Sequence, residues 1–220
     1  MNYTQLVAEV SNYLENEFPV DVINTCITQA EKRIYNTVQI PALRKNVTGS
    51  VSAFNKYLAC PLDYLSSYSM AVVDPVTGNY TYLLNKDVNF IREAYPNPTS
   101  LGEPKYYALF GPAVTTGVVS TELSFIVGPT PNTLYEVELH YFYYPESITT
   151  AGTTWLGDNY DPALFYGTLV EAYTFMKGEQ DMMVLYNTKY SESLSQLKRL
   201  GDGLERQDAY RSGQARVAVT

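Results

Sequence analysis

Apolar positions recur every three or four residues at both ends of this 220-residue chain and every second residue through its middle. Along residues 4–17, Leu6, Val10, Tyr13 and Leu14 fall on one side of a 3.6-residue helical period. Phe18-Pro19 interrupts that helix. Beyond it Asp21 is placed to cap, and Ile23, Ile27, Ala30, Ile34 and Val38 draw a second stripe, with Glu31, Lys32 and Arg33 mostly off it. Pro41 closes the segment, because the residue before a proline disfavours helical geometry.

Over residues 43–145 the period shortens to two. Val47, Gly49 and Val51 alternate with Asn46, Thr48 and Ser50, and further strands are predicted at 57–60, 69–73, 80–84, 106–110, 122–127 and 135–144. In the last of these Val137, Leu139 and Tyr141 alternate with Glu136, Glu138 and His140, which predicts one wet face. Asp74 to Asn79 is a turn cluster, residues 87–95 read as a short helix capped by Asp87, and 97–104 read as a loop. Residues 111–121 are polar and contain glycine, as a hairpin tip or loop does. The strands are expected to form an antiparallel set.

Helical spacing then returns. Asp161-Pro162 reads as an N-cap followed by proline in the first helical position, with Phe165, Leu169, Ala172 and Met176 on one face. A last helix from about residue 180 carries Leu185, Tyr190, Leu194 and Leu197, and Gly201 and Gly203 weaken or bend it. The predicted fold is therefore α+β. Helices of 1–42 and 146–210 meet in one bundle, the stripe of Phe165 packing on that of Ile23. An antiparallel β region with one short helix, 43–145, is inserted between them, and 211–220 form an extended C-terminal arm.

The arm has no core pattern. It alternates small apolar residues with Arg211 and Arg216, and Val217 and Val219 suit a strand edge. From Lys198 onward five basic residues (Lys198, Arg199, Arg206, Arg211, Arg216) stand against three acidic ones (Asp202, Glu205, Asp208), in a chain of net charge −8. A basic, β-prone segment on an acidic body suits docking onto another subunit; a frayed terminus is the alternative reading. Tyrosine, with 21 copies against 8 Phe and 1 Trp, suits either surfaces buried on assembly or exposed strand faces.

Chemistry is sparse. The acidic balance argues against a general nucleic-acid binder, although a negative lumen would let DNA slide without sticking. His140 is the only histidine and has no nucleophile motif beside it. Cys26 and Cys60 fit no metal spacing, and Asp158, Asn159 and Asp161 read as a capped turn rather than a calcium loop. Glu136 and Glu138 share a strand face, which is common for solvated carboxylates. No catalytic residue, no cofactor and no metal is expected. The N-terminus lacks a signal-peptide pattern and no apolar run reaches membrane length, so a soluble protein of a reducing compartment is expected, with no membrane partner.

Several blocks carry a resemblance. They are Gln29-Ala30-Glu31-Lys32-Arg33-Ile34-Tyr35 leading to Ile40-Pro41-Ala42-Leu43-Arg44, Leu84-Asn85-Lys86-Asp87, and Phe90-Ile91-Arg92-Glu93-Ala94-Tyr95-Pro96. Tyr144-Pro145-Glu146, Trp155-Leu156, Glu171-Ala172-Tyr173 and Asp208-Ala209-Tyr210-Arg211-Ser212-Gly213 follow. In this order they resemble the head-to-tail adaptor (connector) proteins of tailed bacteriophages. The resemblance implies a homo-oligomeric ring of twelve copies in the virion neck, assembled in the host bacterial cytoplasm. It implies a bundle packed on the phage portal protein and an arm, Tyr210, Arg211, Ser212, Gly213, Gln214, Ala215, Arg216 and Val217, inserted between portal subunits. It also implies a channel for passing genomic DNA without sequence-specific binding, and a platform for the next tail or nozzle component. A tail terminator, or a tail-associated module holding a fibre or receptor, is the alternative; a hydrolase lacks a constellation.

Overall fold

The computed structural model describes residues 1–97, 99–111, 114–115, 118–119 and 122–212, and side chains through residue 204 apart from those of 114–115 and 118–119. The fold is α+β, with helices at both ends of the chain and a large, mostly antiparallel sheet between them. It divides into two compact units, one of residues 1–43 with 144–220 and one of residues 44–143.

In the helical unit, α1 (Tyr3–Leu14) buries Leu6, Val10 and Leu14. It starts in a capping box, in which the Asn2 side chain accepts from the Gln5 N–H and Gln5 reaches back to the Asn2 N–H. It ends earlier than the periodicity predicts, because Glu15 takes a left-handed conformation (φ 48°). The next helix, α2 (Val20–Thr37), begins after Pro19, so Asp21 is not its cap but an acid in its first turn, where the helix dipole favours one. The predicted stripe of Ile23, Ile27, Ala30, Ile34 and Val38 is buried.

Glu31 departs from expectation. Expected off the stripe, it is 2% exposed, and its carboxylate accepts the Ile148 N–H at 2.9 Å. It thereby holds the start of α4 (Ile148–Ala151) against α2. Burial pushes its carboxyl above the ordinary range, against the hydrogen bonds from Ser147 and Ile148. The folded state thus holds this proton more tightly than the unfolded chain does. That stabilising contribution is greatest below the ordinary pKa of 4.5 and is lost as pH rises through the raised value. Glu31→Gln keeps an acceptor for Ile148 and is expected to remove this pH dependence. Glu31→Ala strands the Ile148 N–H and should cost about 1–3 kcal/mol in denaturant titrations near neutral pH. Equal pH profiles for wild type and Glu31→Gln would refute the assignment.

After α5 (Trp155–Asn159), helix α6 (Asp161–Phe175) is the hub. Tyr160 occupies the cap position and Asp161 is already helical, with Pro162 in the first turn, one residue from the expected register. Its single apolar face is also corrected. Ala163, Leu164, Phe165, Gly167, Thr168, Leu169, Val170 and Ala172 are all buried, so the helix is enclosed nearly all round. Met176 falls just past its end and is exposed. Helices α1, α2, α5 and α7 (Gln180–Ser212) surround it. A Cβ at Gly167 would lie 3.0 Å from the Tyr190 ring and 3.2 Å from Ala30, so its bare backbone lets α2, α6 and α7 close together. Phe165 meets Tyr13 of α1 edge-on at 5.1 Å.

The β unit holds β1 (Arg44–Val51), β2 (Tyr57–Ala59), β3 (Tyr64–Val73), β4 (Tyr80–Asn85), α3 (Val88–Ala94) and β5 (Leu101–Gly102). There follow β6 (Tyr106–Phe110), β7 (Val114–Thr115), β8 (Val118–Val119), β9 (Ser124–Gly128), β10 (Thr130–Pro131) and β11 (Tyr135–Tyr143). The main sheet has the order β1-β11-β3-β4-β6-β9-β2, with β5–β10 and β7–β8 as separate pairs. It is not wholly antiparallel, since β4 runs parallel to β6, across the connection that contains α3, and β5 parallel to β10. Residues 97–104, read as a loop, contain β5, and the 111–121 segment contains the β7–β8 pair, its remaining residues 112–113, 116–117 and 120–121 lying outside the described residues.

One face of the main sheet is dry. Met70, Val72, Leu83, Phe125, Val127, Tyr135, Val137, Leu139 and Tyr141 form its core, while α3 covers Ala108 and Ile126 on the other face through Ile91. The alternation predicted for β11 is the one observed. In β1 it is not: only Val51 is buried, because β1 is the edge of the sheet.

Candidate docking surfaces

Tyrosine takes a third role beside the two expected. Tyr107, Tyr135 and Tyr141 have buried rings with hydroxyls donated to Ser67 (3.1 Å), Asn132 (2.8 Å) and Asp63 (2.8 Å). They are core residues whose polar ends are satisfied near the surface. Others remain on strand faces. Tyr80 and Tyr82 are exposed, flanking a shallow depression lined by Ser69, Ala71, Glu138 and His140.

Within that depression His140 Nε2 lies 3.2 Å from Glu138 Oε1. Hydrogen bonding by Asn46, then by His140 and Tyr80, holds the Glu138 carboxyl below its ordinary range. Glu138 is therefore a committed acceptor on an open strand face, in a depression whose hydroxyls are those of Ser69, Tyr80 and Tyr82. Cys60 is half-buried and desolvation pushes its thiol up to about 12, far from an activated thiolate. Burial likewise raises Cys26. Among the described residues no group of three or more His, Cys, Asp or Glu side chains could hold a metal ion, and no described helix is long and apolar enough to cross a membrane.

Edge strand β1 begins with two charged anchors. Lys45 Nζ reaches Asp63 at 2.6 Å, and Arg44 stacks on Tyr68, 3.8 Å from the ring centroid. Burial works against the Asp63 carboxylate, but the bonds from Lys45 and Tyr141 outweigh it and hold its pKa below the usual range.

The longest exposed element is α7, 33 residues or about 50 Å at helical rise. Its buried stripe is Tyr186, Tyr190, Ser193, Leu197 and Gly201, so Tyr186 replaces the predicted Leu185, which is exposed. Gly201 has a packing role: a Cβ there would fall 2.5 Å from Ile40 Cγ2. Gly203 has open space around it. Tyr210, Arg211 and Ser212 belong to α7, so the helix outruns the predicted end at 210; no glycine or proline lies between Gly203 and Gly213. Gly213, Gln214, Ala215, Arg216 and Val217 lie outside the described residues.

These features define a protein of surfaces: a helical unit organised round one buried helix, a sheet with an open edge, and a long terminal helix presenting most of its circumference. The chain belongs to the SU10 adaptor protein family, whose model matches residues 1–218, and is a structural adaptor of a phage virion. No curated protein matches it.

Proposed function

We propose that this adaptor forms a ring, with twelve copies as the expected number, joining the phage portal to the tail in the virion neck. The ring surrounds part of the DNA channel, and each copy docks to the portal through Tyr210 to Val217. The observation that carries this reading is the family match, which extends through the helical unit, the β unit and the arm positions. Charge supports it: an acidic body lets DNA pass without holding it, while the tail beyond Lys198 carries the basic excess. Assembly in the bacterial cytoplasm, before the tail component binds below, completes the proposal.

The test is particle mass by native mass spectrometry, for the chain alone and mixed with portal protein. A stoichiometric ring on the portal is expected. A chain that ignores portal but binds tail-tube or fibre protein would overturn the reading in favour of a tail terminator or fibre-holding module.

A further inference from the structure

The depression on the open face of the β unit takes its shape from strand register. Glu138 of β11 stands opposite Ala71 of β3, and Ala71 opposite Tyr82 of β4. One row along, His140 faces Ser69; one row the other way, Glu136 faces Val73 and Val73 faces Tyr80. Residues two apart on a strand share a face, so all of these lie on one side of the sheet. The middle strand lines the depression only with Ser69 and Ala71, both small, while Glu138 and His140 rise on one side and Tyr80 and Tyr82 on the other. The space between holds about 190 Å³.

Its negative charge is not neutralised from within. The Glu138 carboxylate accepts from Asn46 and from Tyr80, both uncharged donors, and lies 3.2 Å from His140 Nε2. Among the described residues its ion pairing comes from His140 alone, and only when that ring is protonated. Lys45, next to Asn46 on β1, is held by Asp63 instead. Glu136 is exposed two residues from Glu138 and adds a second negative charge to the face. The charge of Glu138 and its hydrogen bond raise the Tyr80 hydroxyl pKa, and Glu136 adds to the effect.

Tyr80 and Tyr82 are 57% and 68% exposed, so their rings are open to a partner. Open phenol rings beside an unneutralised carboxylate match a guanidinium, which stacks flat on an aromatic ring and donates to a carboxylate. A metal ion does not match, because no group of three ligating side chains forms among the described residues.

We infer that this depression is a docking site for an arginine side chain of another virion protein, stacked on Tyr82 with its guanidinium on Glu138. The site lies within the β unit and uses none of the arm, so it is a contact separate from the proposed portal docking.

The single histidine of the chain makes the site directly observable, since the imidazole NMR signals belong to His140 alone. Titration with N-acetyl-L-arginine amide, at fixed pH and ionic strength, should move those signals along a saturable curve. N-acetyl-citrulline amide has the same shape without the charge and should bind at least about tenfold more weakly. Glu138→Gln should weaken arginine binding by a similar factor, and Tyr82→Ala by about threefold or more. Both side chains stand on the open face, so both variants should melt as wild type does. Particles assembled with the two substitutions together should keep this chain on the head and hold one further virion protein less firmly as salt rises, read by mass spectrometry of their composition. No saturation up to about 100 mM arginine amide, equal binding of the citrulline amide, or double-variant particles of wild-type composition at every salt concentration would overturn the site. None of these outcomes bears on the ring or on the arm.

Discussion

Leu169→Ala is expected to destabilise the helical unit by about 2–5 kcal/mol, the range for emptying a fully enclosed leucine site. Leu169 is 0% exposed on α6, which is walled by four other helices. A cavity there has little room to collapse, because Gly167 already brings three helices to contact distance two residues away. For a chain of this size the melting transition should fall by very roughly 4–20 °C. The chain's single tryptophan makes the measurement local: Trp155 lies in α5, which packs on α6, so its fluorescence reports this unit. Tyr82→Ala, on an open strand face, should change stability by no more than about 0.5 kcal/mol. A loss below about 1 kcal/mol at Leu169 would mean that α6 is not the packing centre of the unit.

Why α6 was only half legible follows from the same geometry. A stripe is readable in sequence when one face is wet, as in α1 and α2, where Leu6, Val10, Ile23, Ile27 and Ile34 emerge directly from the period. A helix enclosed nearly all round has no wet face to contrast, so Phe165, Leu169, Ala172 and Met176 are only one line through a largely apolar run. Glu31 was misplaced for the opposite reason. A carboxylate reads as exposed by default, and its partner, the Ile148 N–H, lies 117 residues away. Gly201 read as a weak point because glycine weakens isolated helices, whereas here its missing Cβ admits Ile40. In the β unit, alternation identified the wet face of β11 but overstated β1, where an edge position leaves both faces open. The basic balance of the tail was legible by counting charges.

Deleting residues 211–220 is expected to leave a folded protein that no longer stays on DNA-filled heads, which then leak their genome. The deletion removes Arg211 and Ser212 from the end of α7 and leaves untouched the buried stripe of the described side chains, Tyr186 to Gly201. Stability should therefore not change. What is lost is Arg211, Arg216, Val217 and Val219, the residues able to pair with carboxylates or carbonyls and to extend a strand edge. A segment ordered only on docking pays conformational entropy, so one arm binds weakly. A ring multiplies the effect: once one arm is seated, its neighbours bind at high effective concentration, and avidity can exceed single-arm affinity by roughly 10²–10⁴-fold. Loss of all arms should thus be far more damaging than one arm's affinity suggests. Arg211→Ala with Arg216→Ala should fall between the extremes and lose more as salt rises, because screening weakens exposed ion pairs. Co-sedimentation of the three proteins with portal-bearing heads across a salt series separates these expectations. Retention of the truncated chain equal to full length would take the arm out of the mechanism and leave attachment to the surfaces of the helical and β units.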